Sequence, residues 1–197
     1  PDPQAIDRLA SALKKSDRPI IVTSNAGREE GACDSLAQLA SDWSIPVVQF
    51  NPRSVNIPFD HPMAVGFDTK ALLGDADLIL SLACDVPWVP AVTRPRPAGD
   101  LWEIDRDPLF SRYPLRSFPA VESIIASPAM ALKSLAAAMG RPSDKDARLC
   151  EARAKFASSL RDKRLTPGMC DMNRLTAESA SIIFANHLPS SAIVVNE

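Results

Sequence analysis

"VTSNAGREEG", residues 22–31, decides how this chain is read. It overlaps "RPIIVTS" (18–24), a short continuous apolar run of the kind that forms a strand buried on both faces. Leu36, Leu39, Ala40 and Trp43 follow at helical spacing. A strand, a sharp turn and a helix start are where many α/β proteins hold a phosphate. Yet only Gly27 and Gly31 break the segment, and the spacing is not the G-x-G-x-x-G of a dinucleotide fingerprint. The stretch therefore predicts an α/β unit and leaves three readings of its turn: a nucleotide site, the remains of one, or a turn alone.

The pattern continues in both directions. Upstream, Asp2-Pro3 supplies an N-cap and a first-turn proline, and Ile6, Leu9, Ala10 and Leu13 form one apolar helix face. Downstream, "IPVVQF" (45–50) reads as a second buried strand, and the prolines of "NPRSVNIPFDHP" (51–62) forbid regular structure there. "TKALLGDA" (69–76) is a short helix candidate. "DLILSLA" (77–83), "LWEI" (101–104) and "ESIIA" (122–126) read as a third, fourth and fifth strand. Ser127-Pro128 opens a helix carrying Leu132, Leu135, Ala136 and Met139, and Gly140 stops it. Strands apolar on both faces, alternating with helices, predict a doubly wound, Rossmann-like α/β domain over residues 1–140. Its sheet is mainly parallel, with helices on both faces, and a helical C-terminal extension follows it.

After Gly140 the composition turns charged. Residues 141–172 read as a linker carrying a long surface helix, with Leu149, Phe156 and Leu160 on one stripe and "TPGMCD" (166–171) as its break. Residues 173–197 read as a helix to His187 and a strand in "SAIVVNE", the opening of a truncated further domain. With Pro1 at one end and a strand at the other, the chain is expected to be an excised piece of a longer protein.

Composition removes several function classes. Of 197 residues, 46% are hydrophobic and 23% charged, and the net charge is −2 with Lys and Arg scattered. No basic patch supports nucleic-acid binding. Apolar runs such as "LILSLA" fall far short of a membrane span, and no targeting leader opens the chain, so a cytoplasmic home is the expectation. Cys33, Cys84, Cys150 and Cys170 lack C-x-x-C spacing and read as thiols in a reducing compartment. His61 and His187 lack partners at metal-ligand spacing, and His187 reads as packing or capping a helix end.

Chemistry has few places to sit. There is no G-x-S-x-G elbow, and two histidines leave few general bases. Acidic residues recur at strand ends, as Asp85 in "CDVPWVP" and Asp105 and Asp107 in "EIDRDP". In an open α/β sheet the carboxyl ends of the strands line the ligand crevice, so Asp85 and Asp105 can reach it. They either accept hydrogen bonds from a ribose or cap local turns. Trp88 reads as a plug against neighbouring structure, with packing over a ligand as the alternative. Arg94 and Arg96 read as solvated or interfacial.

Taken in order, "DRPIIVTSNAGR", "LAQLASDWSIPVV", "HPMAVGF", "ADLILSLACDVPW" and "EIDRDP" resemble the central domain of thiamine-diphosphate-dependent enzymes, especially acetolactate synthase-like proteins. The resemblance covers roughly residues 1–135. It implies a parent enzyme that uses thiamine diphosphate and Mg²⁺ to decarboxylate 2-oxo acids or ligate their two-carbon units. It implies flanking pyrimidine-binding and diphosphate-binding domains as partners, a homo-oligomer at full length, and a central domain that is itself a non-catalytic scaffold. In some relatives this domain carries FAD or ADP, which would run along Ser24, Asn25, Gly27, Asp85 and Asp105. Close approach of a diphosphate needs bare backbone at the turn, and this sequence offers one glycine there. Glu29 and Glu30 add negative charge at the helix start. The site therefore reads as a turn of nucleotide-site ancestry, empty, with FAD or ADP binding as the alternative. A stand-alone NAD-dependent enzyme of sirtuin type lacks both its glycine-set histidine and its paired cysteines.

Overall fold

The five apolar runs read as strands within residues 1–140 all form strands, and a sixth joins them. β1 (Pro19–Thr23), β2 (Val47–Gln49), β3 (Ala64–Gly66), β4 (Leu78–Leu82), β5 (Asp100–Asp105) and β6 (Glu122–Ile125) pair in the order β3-β2-β1-β4-β5-β6. Every pairing is parallel. β1, β2 and β4 are buried along their whole length, as their unbroken apolar runs require. The order runs outward from β1 on one side and from β4 on the other, the doubly wound arrangement expected of the sequence. The computed structural model describes residues 1–197 except 71, 94, 96–99, 110, 112–117, 165–172, 190, 193 and 195–197.

Helices α1 (Pro3–Lys15), α2 (Ala32–Trp43) and α3 (Pro128–Met139) start and stop where local chemistry dictates. Asp2 caps α1 by accepting from the Gln4 N–H at 3.0 Å. Ser127 caps α3, and Gly140, at φ +61°, ends it. Trp43 Nε1 donates to Gly140 O (2.9 Å) and Lys14 Nζ to Ala138 O (3.2 Å), so the ends of α2 and α1 are fastened to the end of α3.

One expectation fails, and one strand lies where none was expected. "TKALLGDA" is not a helix: Leu72 to Asp75 are turns, because so short a stretch with Gly74 inside cannot offset helix nucleation. β3 was not foreseen as a strand, since three residues ending on Gly66 are too short to carry a periodic signal.

The chain divides into two compact units, Pro1–Arg164 and Leu165–Glu197. Helix α4 (Ala147–Arg164) is part of the first unit. The reason is Arg153, which is fully buried. Its guanidinium donates to Trp43 O (3.2 Å) and to Leu13 O and Ser16 O, so one cation satisfies carbonyls at the C-terminal ends of both α1 and α2. Ala157 and Leu160 continue that buried face, with Leu149 and Phe156 half-buried beside it. In the second unit, α5 (Ala177–His187) starts four residues later than expected, at a Thr176–Ser179 capping box. His187 Nδ1 lies 2.7 Å from Ile183 O in the last turn, a capping role. "TPGMCD" with Cys170, Arg94 and Arg96, and most of the strand expected in "SAIVVNE", lie outside the described residues.

Candidate functional site

The carboxyl ends of the strands meet at a crevice of about 580 Å³, beside the point where strand order reverses between β1 and β4. That is where an open parallel sheet presents a ligand site. The turn after β1 contributes Asn25, Arg28 and Glu29. Ala83 and Asp85 follow β4, Asp105 ends β5 and Arg106 follows it. Arg53 reaches in from the loop after β2, and Pro128 from the first turn of α3. Ala83 forms part of the floor with φ at +47°, a left-handed conformation that costs an ordinary residue roughly 1–2 kcal/mol. Its N–H donates to Ile104 O (2.8 Å) and its carbonyl accepts from the Asn25 N–H (3.1 Å), tying three strand ends together.

Of the five residues singled out from the sequence, Asn25, Asp85 and Asp105 line this crevice; Ser24 and Gly27 are not among its lining residues. Ser24 is buried, its Oγ donating to Phe50 O (3.0 Å) and lying 3.0 Å from Cys84 Sγ. Burial pushes the Cys84 thiol up to about 11, against the smaller opposing effect of the Ser24 hydrogen bond.

Gly27 is bare for the benefit of the chain itself. A Cβ there would lie 1.8 Å from Val55 O and 2.7 Å from the Val55 carbonyl carbon. The Gly27 N–H donates to Asn56 Oδ1 (3.0 Å), and Asn56 Nδ2 donates to Ser24 O (3.1 Å) and Ser54 O (2.8 Å). The Asn56 N–H donates in turn to Gln49 Oε1 (3.0 Å), and the Arg53 N–H to Ser24 O (2.8 Å). The proline-rich loop is thus clamped over the turn through the fully buried Asn56. Sequence reading passed over Asn56; an asparagine between two apolar residues in a proline-rich loop was the only hint.

The charges in the crevice are largely satisfied internally. Arg53 Nη2 donates to Asp85 Oδ2 (2.7 Å), whose other oxygen accepts from the Val86 N–H (3.1 Å). Glu29 does not sit at the start of α2, as the sequence had it. It reaches across the crevice to α3, accepting from Ser127 Oγ, the Ala129 N–H (3.0 Å) and Arg106 Nε (2.7 Å). Burial raises the Glu29 pKa, but the bonds from Ser127, Ala129 and Arg106 together outweigh it and leave it below the usual glutamate value. Asp105 Oδ1 accepts weakly from the Asp107 N–H (3.3 Å), the turn-capping role weighed for it. Trp88 is buried edge-on against Phe118, with ring centroids 4.9 Å apart, so it fills the chain's own interior.

Among the described residues, no His, Cys or Ser side chain lines this crevice. His61 lies elsewhere, its Nδ1 accepting from the Met63 N–H (3.1 Å) and its Nε2 2.9 Å from Ser41 Oγ. Among the described residues no three His, Cys, Asp or Glu side chains are placed to hold a metal, and no helix is long and apolar enough to cross a membrane.

A doubly wound parallel sheet with a crevice at its switch point defines a nucleotide-binding-like α/β domain. The model of one family, the thiamine pyrophosphate enzyme central domain, matches residues 6–135. The chain belongs to that family. Solved structures of the same fold include an enzyme from Mycobacterium smegmatis described as thiamin diphosphate-dependent, 22% identical with a TM-score of 0.59. Another is benzoylformate decarboxylase from Polynucleobacter necessarius, 19% identical with a TM-score of 0.58. The matches cover 73% and 74% of this chain and 29% of each of those chains. Comparison with curated proteins gives no significant match.

Proposed function

We propose that this chain is the non-catalytic central domain of a thiamine-diphosphate-dependent enzyme of acetolactate synthase type. The full-length protein would act on 2-oxo acids, by decarboxylation or carboligation, in the cytoplasm. The observation that carries this reading is the family match over residues 6–135. In that reading thiamine diphosphate, with its Mg²⁺, belongs to the full-length protein. Flanking pyrimidine-binding and diphosphate-binding domains of the same enzyme would hold it, and a homo-oligomer would complete the assembly. FAD or ADP binding is the weaker reading, because the turn amide at Gly27 is already taken by Asn56.

The test uses the full-length protein containing this chain, supplied with thiamine diphosphate and Mg²⁺. Release of CO₂ from 2-oxo acids, with pyruvate as the first probe, should depend on the cofactor. Asp85→Asn and Asp105→Asn should leave kcat within a factor of about two, as a non-catalytic domain requires. Absence of cofactor-dependent turnover across a panel of 2-oxo acids would remove the proposal. Loss of turnover in either folded variant would remove the non-catalytic assignment.

A further inference from the structure

The crevice carries three cations, Arg28, Arg53 and Arg106, opposite three carboxylates, Glu29, Asp85 and Asp105. They come from four loops that meet only in the folded chain, and two of the cations are spanned by ion pairs, Arg53–Asp85 and Arg106–Glu29. Glu29 differs from the other two carboxylates in what it occupies. Its side chain is only 17% exposed, and it takes a hydroxyl, a backbone N–H at the first turn of α3, and a guanidinium. These are donors of the kind that bind phosphate oxygens, and Arg106 itself and Pro128, between Ser127 and Ala129, line the crevice. Arg28 stands exposed on the same wall, one residue away.

We propose that Glu29 is an intramolecular plug, the residue that sets this crevice against anionic ligands and keeps a diphosphate out. The proposal rests on the scaffold reading and explains how that role is maintained: the donors at the α3 wall are taken by the protein's own carboxylate, and three cations face three carboxylates without a ligand. Removing the carboxylate frees Arg106 and the Ser127–Ala129 donors and changes the lining from three cations and three anions to three and two. The variant crevice then favours a diphosphate-bearing molecule, whether a free pyrophosphate or a nucleoside diphosphate.

The experiment compares the full chain with Glu29→Ala and Glu29→Gln by thermal unfolding and calorimetric titration, using inorganic pyrophosphate and ADP as probes. Wild type should show no saturable binding of either. Glu29→Ala should bind, and ligand at a hundredfold excess over Kd should raise its Tm by about 5 °C or more. Adding Arg106→Ala to Glu29→Ala should abolish the gain. Binding of both probes assigns the diphosphate as the recognised group; binding of ADP alone adds its nucleoside. Glu29→Gln keeps a neutral cap on α3 and serves if the alanine variant does not fold. No gain in either folded variant, or wild-type binding as tight as the variant's, overturns the plug. Neither outcome touches cofactor-dependent turnover, which the scaffold reading stands or falls on.

Discussion

Gly27→Ala separates two explanations of one glycine. Its φ is not positive, and it sits in a short helical turn (Ala26–Arg28). At such a position alanine ordinarily stabilises by about 0.4–1 kcal/mol through the unfolded chain. If the glycine were there to admit a ligand, the variant would follow that rule and lose only binding. Here the new Cβ meets Val55 O at 1.8 Å, where ordinary contact begins at 3.4 Å, so backbone must yield by more than 1.5 Å. The yielding segment is held by the Gly27–Asn56 and Arg53–Ser24 hydrogen bonds, at 3.0 and 2.8 Å. Overpacking of this kind costs roughly 1–3 kcal/mol, and each strained neutral hydrogen bond adds about 1 kcal/mol. The expected destabilisation is about 3 kcal/mol, a fall in Tm of roughly 6–12 °C for a unit of this size. Urea and thermal unfolding of the full chain read it directly. A Gly27→Ala variant as stable as wild type, or more so, would refute the self-clamped turn.

Removing the side chain of Arg153 by Arg153→Ala strands carbonyls at two helix ends and should cost about 3 kcal/mol or more; Arg153→Met, which keeps the packing stem, should cost less in the same denaturation assay. Burial holds the His61 pKa below its ordinary 6.5, so the unfolded chain takes up the proton first. Stability should therefore be level above about pH 6.5 and decline as pH falls from there through the folded pKa, and urea midpoints of His61→Asn should decline less over that window. Glu29 gives the corresponding carboxylate signature: stability is retained above the ordinary glutamate pKa of 4.5 and lost as pH falls through its lower folded value, a loss that Glu29→Gln should not show. The Cys84 thiol, pushed up to about 11, should resist alkylation at pH 8 in the native chain and react on unfolding, as peptide mapping by mass would show.

The sheet was legible because its central strands are buried on both faces. Such strands read as near-continuous apolar runs, and "PIIV" and "LILSL" announce themselves. β3 was not, since a three-residue strand gains its place from pairing with β2 rather than from its own pattern. The crevice was legible in outline: parallel topology alone puts Asp85 and Asp105 at its rim. What sequence could not give was the destination of side chains across the chain. Glu29 stands next to α2 in sequence but bonds a helix that begins 99 residues later at Pro128, and only the closed fold brings them together. Arg153 looked like one more charge on a charged helix. The signal was there, since it lies four residues from both Leu149 and Ala157 and seven from Leu160, on the seam itself.

Calorimetric titration of the full chain with FAD and with ADP tests most directly whether the crevice is closed by the protein's own groups. The prediction is no saturable heat with ligand up to on the order of 1 mM. One-to-one binding of either molecule to the wild-type chain would contradict it.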